Sequence, residues 1–347
     1  MGSKLLKEIY EQPEAISNTL ENGFETINSL FRDKPLGGRI VFLGMGSSYF
    51  ASIYAKYLFS KFPKISVDVI SAAEYLHYPM FIDNKSLIFA ISQSGESIET
   101  VKVVKKLWKK GLKTCCLTNS PDSSLARLSD YVLLTYAGEE KCSATKTFLA
   151  TLALIYMLWV NAGAKKSYFT NRYKKNAVRK LSGIAGIIQD KLDSWNNICQ
   201  NLAPKVNNAN SLIILGRGYN LCTALQGSLL FKEVSKIHAE GMAGGRFRHG
   251  PIDLTNPNLL VISLATGRTK QLMYKIAEEV KTLGGGSILI TDEKSIATDD
   301  DVFVDKVDEP LSPILFTVPL ELIAYNSAIS KGLDPDFRRV PKITSIE

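Results

Sequence analysis

The chain has 347 residues, 45% of them apolar and 22% charged, with a net charge of +8 and five cysteines. That length predicts about two domains, each able to bury a core without disulfides or a structural metal. The cysteines (Cys115, Cys116, Cys142, Cys199 and Cys222) form no C-x-x-C pair, which argues against a zinc site and for reduced thiols in a cytoplasmic protein.

The chain opens Met1-Gly2-Ser3-Lys4 into polar sequence with no apolar signal core, and Leu6 stands where a myristoylation pattern wants Ser or Thr. Residues 1–29 read as a helical segment. The basic balance could serve nucleic acid, but no nucleic-acid motif accompanies it, and a small anionic substrate fits it equally. Lys102, Lys105, Lys106, Lys109 and Lys110 recur at helical spacing, as on a solvated helix face. The most apolar stretch, Phe148 to Val160, is shorter than the ~20 residues a membrane span needs and reads as a buried helix.

The chain repeats itself. The strand-and-glycine unit ending Leu43-Gly44-Met45-Gly46 returns as Leu215-Gly216-Arg217-Gly218, with its glycines 172 positions on. Leu87 to Ser92, running into Gly95, returns as Leu259 to Ser263, running into Gly267. Thr114 to Thr118 parallels Ser287 to Thr291, and Asp130 to Leu133 parallels Asp301 to Val304. Four matches in one order predict two copies of one α/β fold. Short apolar runs separated by helical stretches predict parallel sheets covered on both faces. The expected divisions are a first lobe over 30–165, a helical connector over 166–194, a second lobe over 195–330 and a tail over 331–347. Ligands of such sheets sit beyond the carboxyl ends of the strands, so functional residues are expected just after the apolar runs.

Two such places suit phosphate. Gly46-Ser47-Ser48 and Ser92-Gln93-Ser94-Gly95-Glu96-Ser97 combine glycines, hydroxyls and a following helix N-terminus. Neither has a lysine in the P-loop position, so a nucleoside triphosphate is not implied. The plain alternative is that these serines are turn and cap residues. The corresponding loops of the second lobe hold few hydroxyls, so the phosphate site is expected in the first lobe only.

Ser92-Gln93-Ser94-Gly95-Glu96-Ser97 resembles the S-x-S-G-E-T signature of the sugar isomerase (SIS) domain family. Within it, the chain resembles the isomerase half of glutamine–fructose-6-phosphate aminotransferase and the stand-alone glucosamine-6-phosphate deaminases. The likeness runs from Leu6 to the last residue, through Ser143-Ala144-Thr145-Lys146, Lys232 to Glu240, Arg248-His249-Gly250-Pro251 and Lys342 to Glu347. It implies tandem flavodoxin-like, doubly wound parallel sheets, and a homodimer acting on a small sugar phosphate with no cofactor or metal. It implies that Glu233 moves a proton between C1 and C2 and that His249, contributed by the partner subunit, opens the sugar ring. It also implies that Lys342, on a tail closing over the site, forms a Schiff base with the ketose. His238 and His77 read as packing or hydrogen-bonding residues.

The sequence departs from the aminotransferase pattern at several places. Ala144 stands where a phosphate-contacting serine is expected, and Gln226 and Leu230 replace a glutamate and a lysine on the helix before Glu233. Leu230 predicts a less polar neighbourhood for Glu233. No segment resembles a glutaminase domain, and no cysteine precedes Cys115. The expected activity is therefore conversion of glucosamine 6-phosphate and water to fructose 6-phosphate and ammonia. Other readings are a fructosamine-6-phosphate deglycase, an ammonia-dependent or two-subunit synthase, and a non-catalytic sugar-phosphate sensor.

Overall fold

The computed structural model describes residues 2–33 and 37–339, apart from the side chains of Arg32 and Asp33. Lys342 and the rest of the tail end lie outside the described residues. The chain forms two compact units. One comprises Gln12–Glu140 and Lys146–Ala185; the other holds residues 2–11, Lys141–Thr145 and Gly186–Arg339.

The first elements are α1 (Lys4–Tyr10), α2 (Gln12–Asp33), β1 (Arg39–Gly44), α3 (Gly46–Phe59), β2 (Ser66–Ser71) and α4 (Ala72–His77). Next come β3 (Leu87–Ile91), α5 (Ile98–Lys109), β4 (Thr114–Thr118), α6 (Ser124–Leu128), β5 (Tyr131–Leu134) and α7 (Lys146–Lys165). The five strands pair in parallel in the order β2-β1-β3-β4-β5. The central strands β3 and β4 are buried at every residue, which is why their sequences are unbroken apolar or small runs rather than alternating ones. Phe42 and Phe89 are register partners on β1 and β3, and their rings stack with centroids 5.0 Å apart. Such a pair contributes about 0.5–1.5 kcal/mol beyond its buried area. Helix α7 contains the apolar stretch read from the sequence. It is long and apolar enough to cross a membrane, yet it is buried from Lys146 to Gly163. The lysines of α5 are exposed, while Val103, Val104 and Leu107 face the sheet.

α8 (Asn171–Asn207) belongs to the first unit in its early turns and to the second thereafter. The second sheet is built from β6 (Ser211–Gly216), α9 (Leu221–Glu233), β7 (Ala239–Ala243), α10 (Gly244–Phe247), β8 (Leu259–Ala265), α11 (Lys270–Thr282), β9 (Gly286–Thr291), β10 (Val302–Phe303) and α12 (Ser312–Ser330). Its order, β10-β9-β8-β6-β7, is that of the first sheet read from the other edge. Both are therefore the flavodoxin-like winding 2-1-3-4-5. The repeat extends to backbone angles. Gly46 and its counterpart Gly218 have φ of +50° and +55°, and Gly95 and Gly267 have +67° and +61°.

The units do not follow chain order as the expected divisions did. α2 packs with the first sheet, whereas α1 and residues 141–145 belong with the second. Hydrogen bonds explain this. The Glu8 carboxylate accepts the backbone N–H groups of Lys141 (2.6 Å) and Cys142 (3.2 Å). Asp336 accepts the N–H groups of Lys4 (2.8 Å) and Leu5 (2.9 Å) and the Ser3 hydroxyl (2.7 Å). The start of the chain, a loop from its middle and the tail thus satisfy one another's polar groups.

Candidate functional site

In the first unit, β1 and β3 are neighbours, but the helices that follow them return to opposite sides of the strand order. This is a topological switch point, the place beyond the strand ends where ligands of such sheets bind. The loops after these two strands are Gly46–Ser48 and Ser92–Ser97. Gly46 takes a left-handed φ and starts α3, so Ser47 and Ser48 occupy the first turn of a 14-residue helix. Among the described residues the Ser47 and Ser48 hydroxyls have no hydrogen-bond partner.

The second loop is tied from within. The Ser92 hydroxyl accepts the Gly95 N–H at 3.1 Å and donates to the Ser97 hydroxyl at 3.2 Å. The Ser94 hydroxyl accepts the Glu96 N–H at 3.2 Å. The Gln93 carbonyl accepts the Asn119 N–H at 2.9 Å. Ser97 sits at the N-cap of α5, but its side chain caps nothing. Its own proton also has no acceptor among the described residues. Glu96 turns away: its carboxylate accepts the Ser124 N–H at 2.7 Å. That bond holds it below the usual carboxylate range against the opposing effect of burial. Gly95 is required here, because a Cβ would lie 2.0 Å from the Ser123 hydroxyl. The loop is thus tied internally and leaves the Ser94 and Ser97 hydroxyl protons without an acceptor among the described residues, which is chemistry for an oxyanion.

In the second unit, Glu233 is the last residue of α9. A carboxylate at a helix C-terminus faces the negative end of the dipole and needs a cation. Arg338 supplies it, with Nη2 3.2 Å from Oε2 and both side chains about a quarter to a third exposed. Oε1 has no partner among the described residues. Lys236, at φ +54°, donates its ammonium to the Glu233 carbonyl and, at 3.3 Å, to the Phe337 carbonyl. Partial desolvation, with Arg339 and Arg338 nearby, lowers its pKa despite Glu233. The less polar neighbourhood expected from Leu230 is not found: Leu230 is buried in the core, and Glu233 meets an arginine. Sequence reasoning passed over Arg338, since a tail arginine carries no spacing signal.

His249 is exposed in the turn after α10, its N–H bonded to the Arg246 carbonyl at 3.1 Å and the neighbouring Phe247 fully buried. Glu233 and His249 are not neighbours. α9 runs back along the sheet, so Glu233 lies near the amino end of β7, whereas His249 follows its carboxyl end. A five-residue strand separates them, roughly 16 Å of extended chain. Glu233 thus departs from the expectation that functional residues follow the apolar runs. Ala144 presents its carbonyl to the Gln226 amide at 2.8 Å, so two departures from the aminotransferase pattern form one contact. His77 and His238, expected to pack or hydrogen-bond, are both exposed.

Comparison with known proteins agrees with this geometry. The SIS domain pattern matches residues 37–161 and 205–331, the spans of the two sheets. A glutamine–fructose-6-phosphate aminotransferase (isomerizing) of Pyrococcus horikoshii is 34% identical over 352 residues, covering 99% of this chain and 58% of its own length. One from Thermococcus kodakarensis is 33% identical over 350 residues with the same coverage. The chain therefore spans 58% of the length of the curated relatives it matches. The C-terminal domain of glucosamine-fructose-6-phosphate aminotransferase from Francisella tularensis superposes with a TM-score of 0.88 at 31% identity, over 96% of this chain and 98% of that one. Glucosamine-6-phosphate deaminase from Thermotoga maritima gives 0.78 at 25% identity, over 99% of each. On its repeated sheets, its serine loop and these matches, the chain belongs to the SIS domain family.

Proposed function

We propose that the protein converts glucosamine 6-phosphate and water to fructose 6-phosphate and ammonia. The observation that carries this reading is Glu233, a carboxylate with one oxygen held by Arg338 and the other without a partner among the described residues. Such a group can take a proton from C2 of the open-chain sugar and return it to C1. The C2–N bond then becomes an imine, to which water adds and from which ammonia leaves. The phosphate is assigned to Gly46, Ser47, Ser48, Ser92, Gln93, Ser94 and Ser97. Ala144 has no hydroxyl to offer and contributes at most backbone.

Ring opening is assigned to His249. The length of β7 between it and Glu233 supports its coming from the partner subunit of a homodimer. Lys342, outside the described residues, is assigned the amine that engages the ketose carbonyl. The deaminating direction is supported by the uncharged Gln226 and Leu230 and by the match to a deaminase over 99% of both chains. A second reading, synthesis from fructose 6-phosphate, is favoured by the 34% identity to an aminotransferase.

The test is to supply glucosamine 6-phosphate and follow ammonia and fructose 6-phosphate together, with Glu233→Gln as the blank. Equal release of both, lost in the variant, supports the proposal. Binding without turnover turns the assignment to a deglycase or a sensor, and fructosamine 6-phosphates are then the substrates to assay.

A further inference from the structure

We propose that Arg338 is the positioning residue of Glu233, delivered by the tail and acting as its counter-ion. The inference rests on the reading of Glu233 as the proton carrier. Three observations support it.

The first is electrostatic. Glu233 ends α9, where the helix dipole disfavours a negative charge, and Arg338 is the only charged side chain among the described residues that bonds its carboxylate. Lys236, from the loop after α9, faces it too, but its ammonium bonds to main-chain carbonyls. Arg339 lies near Lys236, and Lys232 is exposed.

The second is the form of the contact. An arginine placed to lock a carboxylate meets it with two parallel N–H groups. Here only Nη2 reaches Oε2, and the Nε of Arg338 is buried with no partner among the described residues. Oε1 is left to accept a proton, and the spare N–H is left to follow the carboxylate as it turns.

The third is delivery. Asp336, two residues earlier, is pinned to Ser3, Lys4 and Leu5, so Arg338 is held by anchored chain. Docking of the tail and charge on Glu233 therefore favour each other.

The experiment is steady-state kinetics with glucosamine 6-phosphate on Arg338→Met and Arg338→Lys. A residue that holds the proton carrier in place acts in the chemical step, so Arg338→Met is expected to lower kcat about tenfold with KM nearly unchanged, and Arg338→Lys is expected to restore most of it. An unchanged kcat in Arg338→Met, or a loss that Arg338→Lys does not restore, overturns the proposal; Arg338→Gln substitutes if the methionine variant does not fold. Turnover surviving in Glu233→Gln would instead overturn the proton-carrier reading, whatever the Arg338 variants show.

Discussion

Gln226 donates its side-chain amide to the carbonyl of Ala144 at 2.8 Å, joining positions 82 residues apart. The contact sits where Gln226 is fully buried, and it ties the segment 141–145 to α9. Gln226→Glu replaces the donor with a carboxylate facing a carbonyl oxygen. The expected cost is at least ~2 kcal/mol of unfolding free energy, since a buried acceptor is stranded opposite another. Urea titration measures it. A Gln226→Glu protein as stable as the wild type would show that the bond contributes nothing.

The tail anchor at Asp336 makes a pH prediction. Burial raises its pKa, but the N–H groups of Leu5 and Lys4, the Ser3 hydroxyl and the Cys142 thiol together outweigh it, and the net shift is downward from 3.8. A depressed carboxylate stabilises above its unfolded pKa, and that contribution is lost as pH falls through the folded value. The protection of the Lys4 and Leu5 amides, taken relative to their intrinsic exchange at each pH, should therefore fall below about pH 4. In Asp336→Ala that protection should be low at all pH values, with roughly 1 kcal/mol of it gone. Equal protection in both proteins at pH 7 would refute the anchor.

Gly95→Ala should damage the serine loop in two ways. The residue has φ +67°, and the added Cβ would meet the Ser123 hydroxyl at 2.0 Å. We expect a destabilisation of about 2 kcal/mol or more, from the left-handed backbone and the clash together. Ser97→Ala, by contrast, should cost only about 1 kcal/mol, because the Ser97 hydroxyl caps nothing and accepts a single bond, from Ser92. It should weaken binding of a sugar phosphate about tenfold, the loss of one charge-assisted hydrogen bond. Calorimetric titration of the two variants separates the effects.

On the proposed homodimer, in which each His249 serves the other copy's Glu233, complementation between copies is expected. Glu233→Gln and His249→Asn should each be inactive alone. Mixed after unfolding and refolding, they should recover about a quarter of wild-type turnover, since half the dimers are mixed and each mixed dimer has one intact site. No recovery would mean that each copy supplies its own histidine.

Much of this protein is set by short-range chemistry and is legible along the chain. The apolar runs at β3, β4 and β8 demand burial on both faces, which leads to parallel sheets. Glycines recurring 172 positions apart mark the left-handed turns after the strands, and these turns place Ser47, Ser48 and Ser92–Ser97 at a switch point. Tertiary structure decided the rest. That α1 belongs with the second sheet follows from Glu8 and Asp336 satisfying N–H groups more than 130 and 330 positions away. That Glu233 faces a cation rather than the apolar surroundings implied by Leu230 follows from Arg338, 105 positions on. Periodicity and turn chemistry act over a few residues. Pairing of buried polar groups acts through space, and only the folded chain shows which donor meets which acceptor.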